Sequence, residues 1–284
     1  MTPSDLDYAF LKYIGVNPSV AEAVHRFYLP FLAEYPHVLD LGSGMGGFVK
    51  LLCDAGKDAY GIDSDPGCVA EARALGVPVV DADIIDHLRS LEEGSLDAIF
   101  SAHLVEHLPY NVVLDLIQLA HRALRPGGRL ILATPNPRAL ISHLEFYHYH
   151  FGHVAMYQPE LLAFFMTYCG FSRTQTGENP DTSPDRMAPN HPLAGLSVVD
   201  EMPPLRHDTV LPRPSHLIRR LIWYPKMWLI HWLVQPYTDR VMGRLSTAEM
   251  RLQLLAKTVN RPFECYAIGD KALEETSGAD HHHP

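Results

Sequence analysis

The sequence gathers imidazoles and carboxylates at two places. His103, Glu106 and His107 fall within five residues, and His143, His148, His150 and His153 within eleven, four of the 17 histidines in the chain. A neutral imidazole can take a proton from a hydroxyl near neutral pH, and imidazoles that converge with carboxylates can hold a divalent cation. A third group suggests a nucleotide-like ligand. Gly42, Gly44, Gly46 and Gly47, interleaved with Ser43 and Met45, let backbone pass close to a ligand. Asp63, 23 residues after Asp40, stands where a carboxylate accepts both hydroxyls of a ribose. Asp81 and Asp83 then place an acid where an adenine amino group would lie.

These residues need strands that end in ligand-facing loops. Residues 37–41 read as a short apolar strand running into the glycine run, with helices expected over 17–33 and 48–55. Further strands are expected over 59–62, 77–80, 96–101 and 129–133, helices over 68–74 and 111–124, and a turn at Arg125-Pro126-Gly127-Gly128. Strands alternating with helices at this spacing imply right-handed βαβ units and a parallel sheet. Both histidine groups follow strand ends, where open α/β sheets bind ligands. If 103–107 is helical, His103 lies one turn from Glu106 and His107.

The later chain reads as a helix over 157–169 stopped by Gly170, a strand over 171–176, a Pro- and Asp-rich loop over 178–214, a helical stretch to about 259, and a last strand over 263–268. Connections in compact domains are usually ~4–6 residues, so this interval implies a functional excursion. The expected division is a core over 1–176, a loop-and-helix lid over 177–260, and residues 261–284 returning the last strand to the core. Trp223, Tyr224, Trp228, Trp232 and Tyr237 give the lid an aromatic surface suited to sugar rings or lipid tails, with core or dimer packing as the plainer reading.

Bulk properties exclude several classes. With 284 residues, 47% hydrophobic and 20% charged, the chain can bury a sizeable core. A formal charge of −10 and no Lys/Arg-dense run argue against nucleic acid as partner. Cys53, Cys68, Cys169 and Cys265 form no CxxC pair, which fits a reducing cytoplasm. The acidic start, with Asp5 and Asp7, lacks the features of a signal peptide. Residues 217–234 are apolar, but Arg219, Arg220, Pro225 and Lys226 argue against a membrane span, leaving peripheral contact as the most that stretch supports.

The ordered motifs resemble those of class I methyltransferases: Val38-Leu39-Asp40-Leu41-Gly42-Ser43-Gly44-Met45-Gly46, Gly61-Ile62-Asp63-Ser64-Asp65-Pro66, Asp81-Ala82-Asp83, and Arg122-Ala123-Leu124-Arg125-Pro126-Gly127-Gly128. The resemblance covers roughly residues 36–176. It implies a Rossmann-like α/β fold, a seven-stranded, mostly parallel sheet flanked by helices with a helical insertion before the last strand, and S-adenosyl-L-methionine (SAM) as cofactor. Asp40, Gly42, Gly44 and Gly46 would flank its methionine part, Asp63 would hold its ribose and Asp83 with Ile84 would bracket its adenine, with Ser43, Ser64 and Ser101 also counted among the cofactor-binding residues. A nicotinamide dinucleotide is the competing cofactor, and the Arg-Pro-Gly-Gly turn weighs against it.

The histidine groups are similar to those of a metal-dependent subset that includes ubiquinone-pathway O-methyltransferases and small-RNA 2′-O-methyltransferases, with a Glu-x-x-Glu-His motif and a later histidine. That likeness implies a divalent metal on His103, Glu106, His107 and His153, with His143 or else His150 as the proton acceptor. His103 replaces the first Glu of the motif, which suits a transition metal better than Mg²⁺. Glu-His-Leu at this position is also common without metal. Residues 152–161 and 261–268 resemble segments of bacterial glycan methyltransferases. The expected activity is therefore methyl transfer to a hydroxyl of a small-molecule or oligosaccharide acceptor, a sugar in polysaccharide or glycolipid synthesis. The alternatives are a phenolic or quinone acceptor, then RNA, and a non-enzymatic binding module; a homodimer is left open.

Overall fold

The computed structural model describes residues 6–15, 18–140, 142–143, 150–183 and 261–273, with isolated positions 243, 247, 250 and 251. His148, the lid aromatics and nearly all of the expected insertion lie outside the described residues.

Seven strands form one sheet: β1 (His37–Leu41), β2 (Asp58–Asp63), β3 (Val79–Asp81), β4 (Leu96–Ala102), β5 (Leu124–Pro135), β6 (Arg173–Glu178) and β7 (Glu264–Asp270), ordered β3-β2-β1-β4-β5-β7-β6. β7 runs antiparallel to both neighbours, and the other pairings are parallel. This is the Rossmann-like class I methyltransferase fold expected from the motifs. The helices are α1 (Leu6–Tyr13), α2 (Pro18–His25), α3 (Gly47–Asp54), α4 (Pro66–Ala74), α5 (Ile84–Ser90), α6 (Tyr110–Ala123) and α7 (Pro159–Tyr168).

Burial on both faces explains why the central strands read as unbroken apolar runs. Leu39, Leu41, Ile99, Leu130 and Leu132 face one core, packed on α6 and α7 residues. Val38, Ala98, Phe100, Ile131 and Ala133 face the other, where the Phe48 and Phe100 rings pack at a tilt of 45° with centroids 4.2 Å apart. Side chains alternate along each strand, so neighbouring residues belong to opposite cores.

Several local expectations are corrected. The helix expected over 17–33 is α2 followed by a 3-10 segment, Arg26–Leu32, containing Pro30, whose ring removes an N–H that an α-helix would use. The turn at 125–128 is a bulge inside β5: Leu96 pairs with Leu124, yet Ala98 pairs with Arg129, and Gly127 adopts φ 75. α1 and α5 were not expected from the sequence. Both are short, and α5 is fixed by its cap, where Asp83 Oδ1 accepts from the Ile85 and Asp86 N–H groups.

Phe100 is fully buried against Tyr28 and Phe48. Phe100→Ala is expected to cost about 3–5 kcal/mol in denaturant unfolding. A loss below about 1 kcal/mol would show that this packing is not the tight one described.

Candidate active site

The glycine turn begins where β1 ends. Gly42 and Gly44 have φ of 70 and 53, a left-handed geometry glycine adopts without strain. The N–H groups of Gly42 and Ser43 donate to the Ile62 carbonyl, and that of Gly44 donates to Asp63 Oδ2 at 2.8 Å. Asp63 Oδ1 accepts from the Asp65 N–H, and Asp65 caps α4 ahead of Pro66. The tips of β1 and β2 are thereby bolted together, beside the switch point where β1 separates β2 from β4.

Below this turn opens a cavity of about 630 Å³, within the ~300–1,000 Å³ usual for small ligands. One end is lined by Gly42, Ser43, Gly44, Asp63, Ser64, Asp83 and Ile84, and the other by His103, Glu106, His107, His150 and His153. Asp40, Gly46 and Ser101 do not line it. Asp40 is buried behind the turn, where burial, with the charge of Asp63, pushes its carboxyl well above the usual range. Ser101 donates to the Leu41 carbonyl, and Gly46 caps α3. These three support the wall rather than form it. Ser43 lines the cavity, and its Oγ, packed beside Gly61 of β2, is buried without a hydrogen-bond partner among the described residues.

The four expected metal ligands do not converge. The expected helix over 103–107 is absent: His103 has φ 54, and only Val105–His107 make a 3-10 turn. The His103 ring turns to Glu264 on β7, with Nε2 2.8 Å from Oε2, while Nδ1 lies 3.3 Å from Glu106 Oε1. Glu106 is buried and accepts from Thr134 Oγ1 at 3.0 Å. His107 and His153 instead meet His150: each of the three rings offers one ligating nitrogen, all within 4.8 Å of one another. The other expected base, His143, is exposed, donates to the Pro137 carbonyl and does not line the cavity.

Glu264 and His25 carry roles that the sequence reading did not assign. Glu264 is fully buried and accepts from Tyr28 Oη and Asn179 Nδ2, both at 2.7 Å. A lone acid in an otherwise apolar strand was the available signal. His25, one of the 17 histidines, offered none.

Charge states follow from packing. Burial opposes a charge on His103, but the carboxylates of Glu106 and Glu264 outweigh it and hold the imidazole up at about 10. Burial drops His25 to about 4 against the pull of Glu264. The carboxyls of Glu106 and Glu264 stay below their ordinary values because the His103 partner outweighs their burial. One imidazolium between two carboxylates leaves a net negative charge beside the cavity. Burial also lowers His107 and His150, so both are neutral at pH 7.

Sheet order, glycine turn and acidic strand tips together define the class I SAM-dependent methyltransferase fold. Residues 39–132 match the family described as Methyltransferase domain. An uncharacterized methyltransferase of Mycobacterium avium is 35% identical over 102 residues, covering 34% of this chain and 38% of that protein. The ubiquinone biosynthesis O-methyltransferase of Xanthomonas oryzae pv. oryzae is 33% identical over 104 residues, covering 35% of this chain and 43% of its own length. The chain therefore matches less than half the length of these curated relatives. A SAM-dependent methyltransferase from Archaeoglobus fulgidus shares the fold, with a TM-score of 0.67 at 21% identity over 94% of this chain and 100% of that one.

The raised pKa of His103 gives a stability contribution that is full below about 6.5 and is lost as the pH climbs through about 10. The destabilisation caused by His103→Gln, measured by thermal unfolding, should therefore be largest below pH 6.5 and shrink toward pH 10. Equal destabilisation at both ends would contradict the clamp.

Proposed function

We propose that this chain is a SAM-dependent O-methyltransferase whose acceptor is a hydroxyl of a sugar or oligosaccharide, with a divalent ion assisting. The observation that carries the reading is one cavity whose two ends differ: a glycine turn and acids that suit an adenosyl group, and an imidazole cluster that suits a hydroxyl acceptor.

The residues fit the cofactor. Ser43 Oγ is a buried polar group that a ligand can satisfy, Gly42 and Gly44 keep the turn close, and the lining acids with the net-negative His103 cluster favour a cationic sulfonium. When bound, SAM would supply an electrophilic methyl carbon for the acceptor oxygen, with the neutral thioether S-adenosylhomocysteine as the leaving group. The chain's own part is to hold the acceptor within reach and remove water and a proton. Neutral His107 and His150 bring imidazole lone pairs to the cavity, each able to serve either a proton or the assisting ion. His103 does not, because both its ring nitrogens face carboxylates.

The sugar assignment is supported by the glycan-enzyme likeness at 152–161, a segment that includes the imidazole His153. A second reading, a phenolic or quinol acceptor, is favoured by the match to the Xanthomonas enzyme.

Asp63→Ala should weaken binding of S-adenosylhomocysteine about 10- to 100-fold by calorimetry, the loss of one or two charged hydrogen bonds. Unchanged affinity would remove the cofactor reading. Labelled-methyl transfer over oligosaccharides, phenols and RNA, each with and without divalent ion, should label a saccharide. Labelling of phenols alone would select the second reading.

A further inference from the structure

Among the described residues two groups of three side chains could hold a metal ion: His25, His103 and Glu264, and His107, His150 and His153. In the first, both ring nitrogens of His103 face carboxylates, and His25 Nδ1 is buried without a hydrogen-bond partner among the described residues. The second is different. It lies on the cavity wall and contains no carboxylate.

We propose that His107, His150 and His153 form a three-imidazole site for a zinc-class transition ion that keeps one position open to the cavity. The chemistry of the donors sets the ion class. Imidazole nitrogen suits Zn²⁺, Co²⁺ and Ni²⁺, whereas Mg²⁺ demands oxygen ligands in an octahedron. Three protein ligands leave the fourth tetrahedral position free, as catalytic zinc sites do.

The backbone holds the trio from two sides. The Glu106 carbonyl accepts from the N–H groups of both Val154 and Ala155, at 2.9 and 3.2 Å, which pins the 150–155 segment onto the turn that carries His107. Ring centroids lie 4.7 Å apart for His107 and His150, 4.7 Å for His107 and His153, and 5.2 Å for His150 and His153. Around a tetrahedral zinc at ~2.1 Å, ligating nitrogens stand about 3.4 Å apart. The trio, within 4.8 Å, closes on an ion by rotating rings rather than moving strands. Gly152 is part of the design. A Cβ there would sit 2.7 Å from His107 Nδ1 and 3.2 Å from His150 Nδ1, in the space the rings need. Asp7 Oδ1 on α1 stands 3.9 Å from His150 Nε2, beyond hydrogen-bond reach, and the Gly152 N–H donates to His150 Nδ1 at 3.1 Å, a bond that an ion ligated at that nitrogen would replace.

The site deepens the O-methyl-transfer reading, on which its catalytic use rests: such an ion would supply a Lewis acid next to the acceptor hydroxyl. The ion binding itself does not depend on that reading. The test is calorimetric titration of the chelator-stripped full chain with Zn²⁺ and, separately, Mg²⁺, together with the visible bands of bound Co²⁺. His281, His282 and His283 also attract such ions, so the site is read as the difference between the chain and its variants. One Zn²⁺ should be lost, or weakened at least about 100-fold, in His107→Ala, His150→Ala and His153→Ala, and weakened in Gly152→Ala, which keeps all three imidazoles. His37→Ala should retain it. Homocysteine-product binding measured on His150→Ala reports that the variant is folded. Zn²⁺ isotherms and Co²⁺ spectra identical in the chain and all four site variants, or Mg²⁺ binding as tightly as Zn²⁺, would overturn the proposal. Failure of the wild-type chain to bind the cofactor product would overturn the transferase reading instead, and is read separately.

Discussion

The imidazolium of His103, held between the buried carboxylates of Glu106 and Glu264, is the constraint on which the acceptor end of the cavity depends. A buried carboxylate is costly unless paired and hydrogen-bonded, and removing one partner of such a group commonly costs ~3–5 kcal/mol. Glu264 collects His103, Tyr28 and Asn179 at once, so the end of β4, the 3-10 segment before β1, the residues after β6 and the start of β7 must all arrive together. Glu106 is fixed by the same ring and by Thr134 on β5. Its backbone carbonyl is then fixed too, and that carbonyl seats the segment bearing His150 and His153. A charge cluster that touches neither reacting group thus sets where the imidazoles stand.

The same cluster shapes the field. Two carboxylates and one imidazolium leave a negative excess, and Asp7, Asp63, Asp65 and Asp83 line the rest of the cavity. Where such charge is partly shielded from solvent it acts more strongly than it would in water. A sulfonium is attracted there, and its neutral product is attracted less. The acids that line the cavity and the cluster that places the histidines therefore act in the same direction.

The sheet was legible because its causes are local. Apolar runs ending in glycine or acid mark strand tips, and four motifs in order fix their sequence in the fold. The cofactor end follows from that order, since Asp63 and Asp83 stand at strand tips whatever the side chains beyond them do. The acceptor end was half legible. The expected grouping of His103 with His107 is not found, because it assumed helical spacing for 103–107. A single positive φ at His103 rotates that ring away from His107 and toward β7, more than 150 positions along the chain. No local pattern encodes such a partner. His150, read as a base, and His107 and His153, read as ligands, turn out to be neighbours only because two N–H groups find one carbonyl. α1 escaped notice for another reason: eight residues without a buried side chain have little helical signal of their own.

That weakly held helix is what joins the two ends. The Tyr8 N–H donates to Asp65 Oδ2, and Tyr8 Oη and Lys12 both reach Glu71 on α4, with Gly67 leaving room for the Tyr8 ring. On its other side, Phe10 packs edge-on against His150 with centroids 5.0 Å apart, and Asp7 faces the same ring. Exposed ion pairs of this kind contribute roughly 0–1 kcal/mol, and no residue of α1 is buried to add to that. The roof over the cavity is therefore its least firmly held wall, while the floor is anchored in the sheet.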